Sequence, residues 1–134
     1  MPKGRRPPAE LARAYLKHHR TQAKGDFWAF EEVGDRVTSD DAAPEDAWAV
    51  VLALVVEADE DSLGYVGAGP LEDFVRRVGT AFIDQIEAES RRDPKFHRCL
   101  GRVWLSHGDL PPAILSRVVT ASGHAIRPLG TRET

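Results

Sequence analysis

One cysteine, Cys99, stands alone in 134 residues, so no intramolecular disulfide can form and no extracellular scaffold is indicated. No apolar run approaches the roughly 18 residues of a membrane span, which excludes an ordinary transmembrane helix. The opening MPKGRRPPAE is basic but lacks the apolar core of a secretory signal. Strand signals are missing as well: the chain has neither alternating apolar stretches nor an Asn-Gly turn between apolar runs. Aromatics make up only 7%, although three tryptophans add bulk for a core. Together these absences predict a cytoplasmic helical protein.

What is present is an ordinary globular balance, 42% apolar and 29% charged, in a length suited to one domain. The net charge of −3 conceals a polarity along the chain. Residues 1–25 carry seven Lys or Arg against Glu10, and residues 26–61 carry twelve Asp or Glu against Arg36. Opposite blocks within one small domain more often compensate each other than serve as a docking surface for a basic partner.

Apolar spacing then gives the helices. Residues 1–7 are expected to be a disordered basic tail, residues 8–122 one α-helical domain, and residues 123–134 a loosely ordered tail. Leu11, Tyr15, Leu16 and His19 share one helical face, and Phe27, Phe30, Val33 and Val37 form the next stripe. WAVVLALVV, residues 48–56, is apolar on every side and suits a central helix, with a buried strand as the competing reading. A short helix is expected around Ser62–Val66. In GAGPLEDFVRRVG, Gly69 and Pro70 look like a helix start with Glu72 as capping carboxylate, and Gly79 like a stop. Residues 70–91 fit either two helices or one bent helix. Asp93-Pro94 begins another helix, with Phe96, Cys99, Leu100, Val103 and Trp104 on its apolar face, and Ile114, Leu115, Val118 and Val119 mark the last. Trp48 and Trp104 are both placed in the core. The outcome is an all-α fold of about six short antiparallel helices in one compact domain, with stacked hairpins of α-solenoid type as one geometric variant.

Chemistry-bearing patterns are few. GAGPLED lacks the preceding strand and following lysine of a phosphate loop, and its acidic first turn would repel phosphate. Glu72, Asp73, Asp84 and Glu87 are the surface candidates for a metal-binding or acid–base role. A solvated face, or ion pairs with Arg76, Arg77 and Arg91, explains them more simply. His18 and His19 diverge on a helix, and His97, His107 and His124 show no ligand spacing. Cys99 lies on an apolar face, where a thiol is inert. RRDPKFHRCLGR is basic, but a pI near 5.9 argues against a nucleic-acid partner. No catalytic residue, cofactor or metal site is indicated.

The segments AGPLED (Ala68–Asp73), FIDQIE (Phe82–Glu87), DPKF (Asp93–Phe96) and VW (Val103–Trp104) together resemble a bacterial family classed as a domain of unknown function, over roughly residues 44–104. The resemblance implies a helical bacterial protein and supplies no activity or site. The expected role is a small protein-binding module of accessory or immunity type without catalysis. The alternative is a metal-binding protein or enzyme using Glu72, Asp73, Asp84 and Glu87.

Overall fold

Four helices of this chain begin at a proline, because the first helical turn needs no amide donor there and proline's fixed φ is already helical. They are α1 (Pro8–Thr21), α3 (Pro44–Glu57), α6 (Pro94–Leu100) and α7 (Pro112–Ala121). The computed structural model describes residues 6–39 and 41–130. A 3₁₀ turn, Lys24–Asp26, leads into α2 (Phe27–Thr38), and α4 (Glu60–Val66) precedes the long α5 (Glu72–Arg92). A capping box starts α4: the Asp59 carboxylate accepts from the Ser62 amide at 2.8 Å, and Ser62 Oγ accepts from the Asp59 amide at 3.1 Å. The described residues form an all-α bundle, and their only β feature is an isolated bridge between Ser106 and Leu129.

α3 is helical, resolving the ambiguity at 48–56, and it touches α1, α2, α4, α5 and α6. Ala47, Val50, Val51, Leu54 and Val55 are buried on it. Trp48 wedges its ring against Phe74, Phe96 and Phe82, with centroids 5.3, 5.7 and 6.0 Å away.

The expected break at GAGP does not occur. Gly67–Leu71 forms a π-helical turn that carries α4 directly into α5, so residues 60–92 are one helical path and the bundle has six helices on that count. Pro70 explains the widened turn, since it cannot donate an amide and its ring crowds the preceding turn's carbonyl. Gly67 allows α6 to cross closely: a Cβ there would lie 2.4 Å from the Cys99 carbonyl oxygen and 2.7 Å from Arg102 Cβ. Nor does Gly79 stop the helix. The path bends at Val78 (φ −132°, ψ 15°) and continues to Arg92.

Two apolar assignments are corrected. Trp104 is 62% exposed, because α6 ends at Leu100 and the chain beyond the Gly101–Arg102 turn is extended. Val103 and Leu105 then point inward and Trp104 outward, a period of two in place of 3.6. On α2, Val33 and Val37 are buried, but Phe27 and Phe30 stand 46% and 44% exposed at the margin of the stripe.

The charge blocks meet across helices. Arg6 pairs with Glu32, Arg13 with Glu57 and Lys17 with Asp26, joining the basic N-terminal segment to the acidic middle. Arg36, itself buried, holds Asp46 through two nitrogens at 2.7 and 3.0 Å and Glu32 at 3.0 Å, which ties α2 to α3. Arg6 also lies 4.1 Å over the Trp28 ring, so Arg6 and Pro7 are docked. At the other end Ile126 is buried, and Leu129 exchanges backbone hydrogen bonds with Leu105 and His107. The rest of the expected tails, residues 1–5 and 131–134, lies outside the described residues.

Candidate functional site

The four carboxylates singled out in the sequence do not converge. At a rise of 1.5 Å per residue, Glu72 and Asp84 stand roughly 18 Å apart along α5. Glu72 does not cap a helix start, because no helix starts there. It accepts from the Trp104 amide at 2.8 Å and pairs with Arg76 at 2.8 Å, and so fastens the extended segment after α6 to α5. Asp84 and Glu87 are brought together by Arg117 of α7, at 2.8 and 2.6 Å. That arginine holds the Glu87 carboxyl below its ordinary range. Among the described residues no three His, Cys, Asp or Glu side chains gather as a metal site would require.

Asp73 differs from the other three. It follows Glu72 and so projects about 100° away from it on the helix. Its carboxylate makes no hydrogen bond or ion pair with any described residue and lines a cavity of about 300 Å³ against the π-helical turn. Tyr15 of α1, Phe30, Val33, Gly34 and Val37 of α2, and Tyr65 of α4 complete most of the wall. Burial raises the Asp73 carboxyl pKa, partly offset by Arg76. The Tyr15 hydroxyl is pushed above the ordinary phenol range, first by burial and then by Tyr65 and the Asp73 charge. The Tyr15 ring lies nearly parallel to Phe30 with centroids 6.1 Å apart, and the Tyr65 centroid is 5.8 Å from it. His18 abuts Phe27 and Phe30, and His19 stacks on Tyr65 at 3.8 Å. The result is an apolar, aromatic recess with one carboxylate.

Of these residues, sequence reasoning singled out Asp73 but missed its setting of Tyr15, Phe30, Gly34 and Tyr65. Two signals were present: Pro70 inside a helical path and Gly34 inside α2. A Cβ on Gly34 would meet nothing within 4 Å, so no close approach demands glycine there. Glycine within a helix costs roughly 0.5–1 kcal/mol relative to alanine. What the missing side chain provides is open volume in the recess wall.

Elsewhere several polar groups are engaged. Ser90 Oγ donates to the Ala121 carbonyl at 2.6 Å and sits 2.9 Å from His97 Nδ1, which locks α5, α6 and α7 together. The serine proton is therefore directed at a backbone carbonyl, the wrong arrangement for a nucleophile activated by its histidine. Burial pushes the Cys99 thiol up to about 12, which keeps it protonated and unreactive. In the basic RRDPKFHRCLGR stretch, Lys95 donates to the Val56 and Ala58 carbonyls, Arg92 pairs with Glu89 and Arg98 with Glu60. Those cations close helix ends and ion pairs within the domain.

Fold and site thus define an all-α bundle with an aromatic recess built on a π-helical turn. The chain belongs to a family of unknown function, DUF6869, which matches residues 17–126, a wider span than the motifs alone suggested. Comparison with curated proteins and with solved structures gives no match. Among the described residues no helix is long and apolar enough to cross a membrane.

Proposed function

We propose that this chain is a cytoplasmic, non-catalytic protein-binding module whose recognition site is the recess between α1, α2 and the π-helical turn. The observation that carries this reading is Gly34. A helix-interior glycine with no packing reason lowers stability, and here the missing side chain leaves the pocket wall open. Three further features agree with it. The cavity is concave and mostly apolar with a perturbed carboxylate, as binding sites tend to be. Phe27 and Phe30 offer exposed aromatic surface beside it, of the kind that anchors partners. A π-helical turn forms its floor, a feature frequent at functional sites. Catalysis by the carboxylates has less support, since Glu72, Asp84 and Glu87 are each held by arginine.

Gly34→Leu tests the assignment, because the new side chain would enter the recess without meeting the backbone. The expected result is a melting temperature equal to or above that of the parent, together with loss of partner binding. Full binding by a well-folded Gly34→Leu protein would place the site elsewhere.

A further inference from the structure

The recess selects among ligands by charge as well as by shape. Asp73 is the only ionisable wall residue that is anionic at neutral pH, and the wall holds no cation. The two arginines that follow on α5 are engaged by other partners, although Arg76 offsets part of the Asp73 shift. Arg76 is held by Glu72 and Asp109, and Arg77 donates to the carbonyls of Val37 and Ala42 at 2.9 and 2.7 Å. On α2, Glu31 and Asp35 are exposed, and Glu31 lies one turn from Gly34 on the helix surface. Neither side chain makes an ion pair or hydrogen bond with a described residue. The rings of Tyr15, Phe30 and Tyr65 line the same wall, and aromatic rings attract cations. An aliphatic stem would meet Val33, Val37 and Pro70. The volume of about 300 Å³ lies at the bottom of the range for small-molecule sites, about 300–1,000 Å³, and suits one long side chain better than a cofactor.

We infer that the recess receives a lysine side chain, with or without N-methyl groups, from a protein partner: the ammonium sits between Asp73 and the aromatic rings, and the stem lies along the valines. This rests on the assignment of the recess as the recognition site. Arginine is disfavoured, because a single carboxylate in an aromatic pocket leaves most of the five guanidinium donors without acceptors. A partner carrying an exposed lysine among apolar residues would also meet Phe27 and Phe30 at the rim.

The test is titration of the full chain, followed by NMR, with a short capped peptide holding one lysine between two leucines. The controls are the same peptide with norleucine in place of lysine, and n-butylammonium alone. The lysine peptide should bind at least about tenfold more tightly than the norleucine peptide, shifting Tyr15, Gly34 and Tyr65 resonances. Asp73→Asn keeps the shape of the site and should erase that preference, while Gly34→Leu should remove binding of both peptides. If both peptides bind equally at these residues, the recess stands as a binding site and the lysine inference falls. If n-butylammonium binds as tightly as the peptide, the ligand is a free amine and the protein source is overturned. If no probe shifts these resonances at about 10 mM, both the inference and the site assignment fall.

Discussion

The two ends of the helical path from residue 60 to 92 carry the same kind of side chain in opposite circumstances. Near its start, Asp73 lies half-buried against aromatic rings with no cation paired to it. Toward its end, Asp84 and Glu87 share Arg117 near the surface. The charged form of Asp73 is destabilised by its setting and that of Glu87 stabilised, although both belong to one acidic helix. The backbone differs in the same sense. The start is a π-helical turn crossed closely by α6 at Gly67, whereas the end is a regular helix joined to α7 by an arginine bridge and the Ser90–Ala121 hydrogen bond. Carboxylate composition therefore says little about function here, and what each carboxylate faces says most.

Perturbing the densely packed start should have the largest effect. Trp48→Ala removes the ring wedged among Phe74, Phe82 and Phe96 and should cost about 3–5 kcal/mol, enough to leave a marginal domain largely unfolded by circular dichroism. Trp104→Ala, by contrast, removes an exposed ring and should stay within about 0.5 kcal/mol of the parent. Equal losses for the two tryptophans would mean that the segment after α6 is packed otherwise than described.

Gly67→Ala comes next. Its methyl would overlap the Cys99 carbonyl, a backbone atom that moves only if α6 moves, so a loss of about 1–3 kcal/mol is expected in urea melts. Gly34→Ala in α2 should instead gain roughly 0.5–1 kcal/mol, because open space surrounds it. A neutral Gly67→Ala would show that the crossing of α6 over the π-helical turn is looser than the structure has it.

Charge neutralisation sharpens the comparison through its sign. Burial raises the folded-state pKa of Asp73 above the ordinary 3.8, so stability falls as pH rises through that window and the penalty is complete above it. Asp73→Asn should accordingly raise the melting temperature at pH 7, with the gain fading toward pH 3.8 and below. Arg117 lowers the folded-state pKa of Glu87 below the ordinary 4.5, so its contribution is present above that pH and lost as pH falls through the lowered value. Glu87→Gln should lower the melting temperature at pH 7, by an amount that shrinks in acid. Shifts of the same sign at pH 7 would erase the distinction between the two ends.

The smallest effect belongs to Arg117→Ala. Its bridges are exposed, so the melting temperature should drop slightly at low ionic strength and match the parent at about 1 M salt, where the Debye length is roughly 3 Å. A loss that persists in high salt would show that the aliphatic stem of Arg117 contributes packing as well as charge.

Much of the fold was legible because helices are encoded by neighbours in sequence. Apolar residues every three or four positions predicted α1, α3, α6 and α7, with Asp93-Pro94 marking the start of α6, without reference to the rest of the chain. The same local rules misread GAGP. A proline after glycine reads as a start, yet packing by α6 and α2 holds the helix through it as a π-helical turn. Trp104 was misread because helical spacing was carried past the point where α6 ends. The recess was not legible at all: Tyr15, Gly34, Tyr65 and Asp73 come from four elements spread over 59 residues, and none is unusual alone. Sequence by itself determined that this chain forms helices and where most begin, since φ restriction, missing donors and periodicity act within one turn. Only tertiary structure decided which carboxylate is left without a cation and which aromatic rings surround it, because burial and electrostatics depend on neighbours that folding alone brings together.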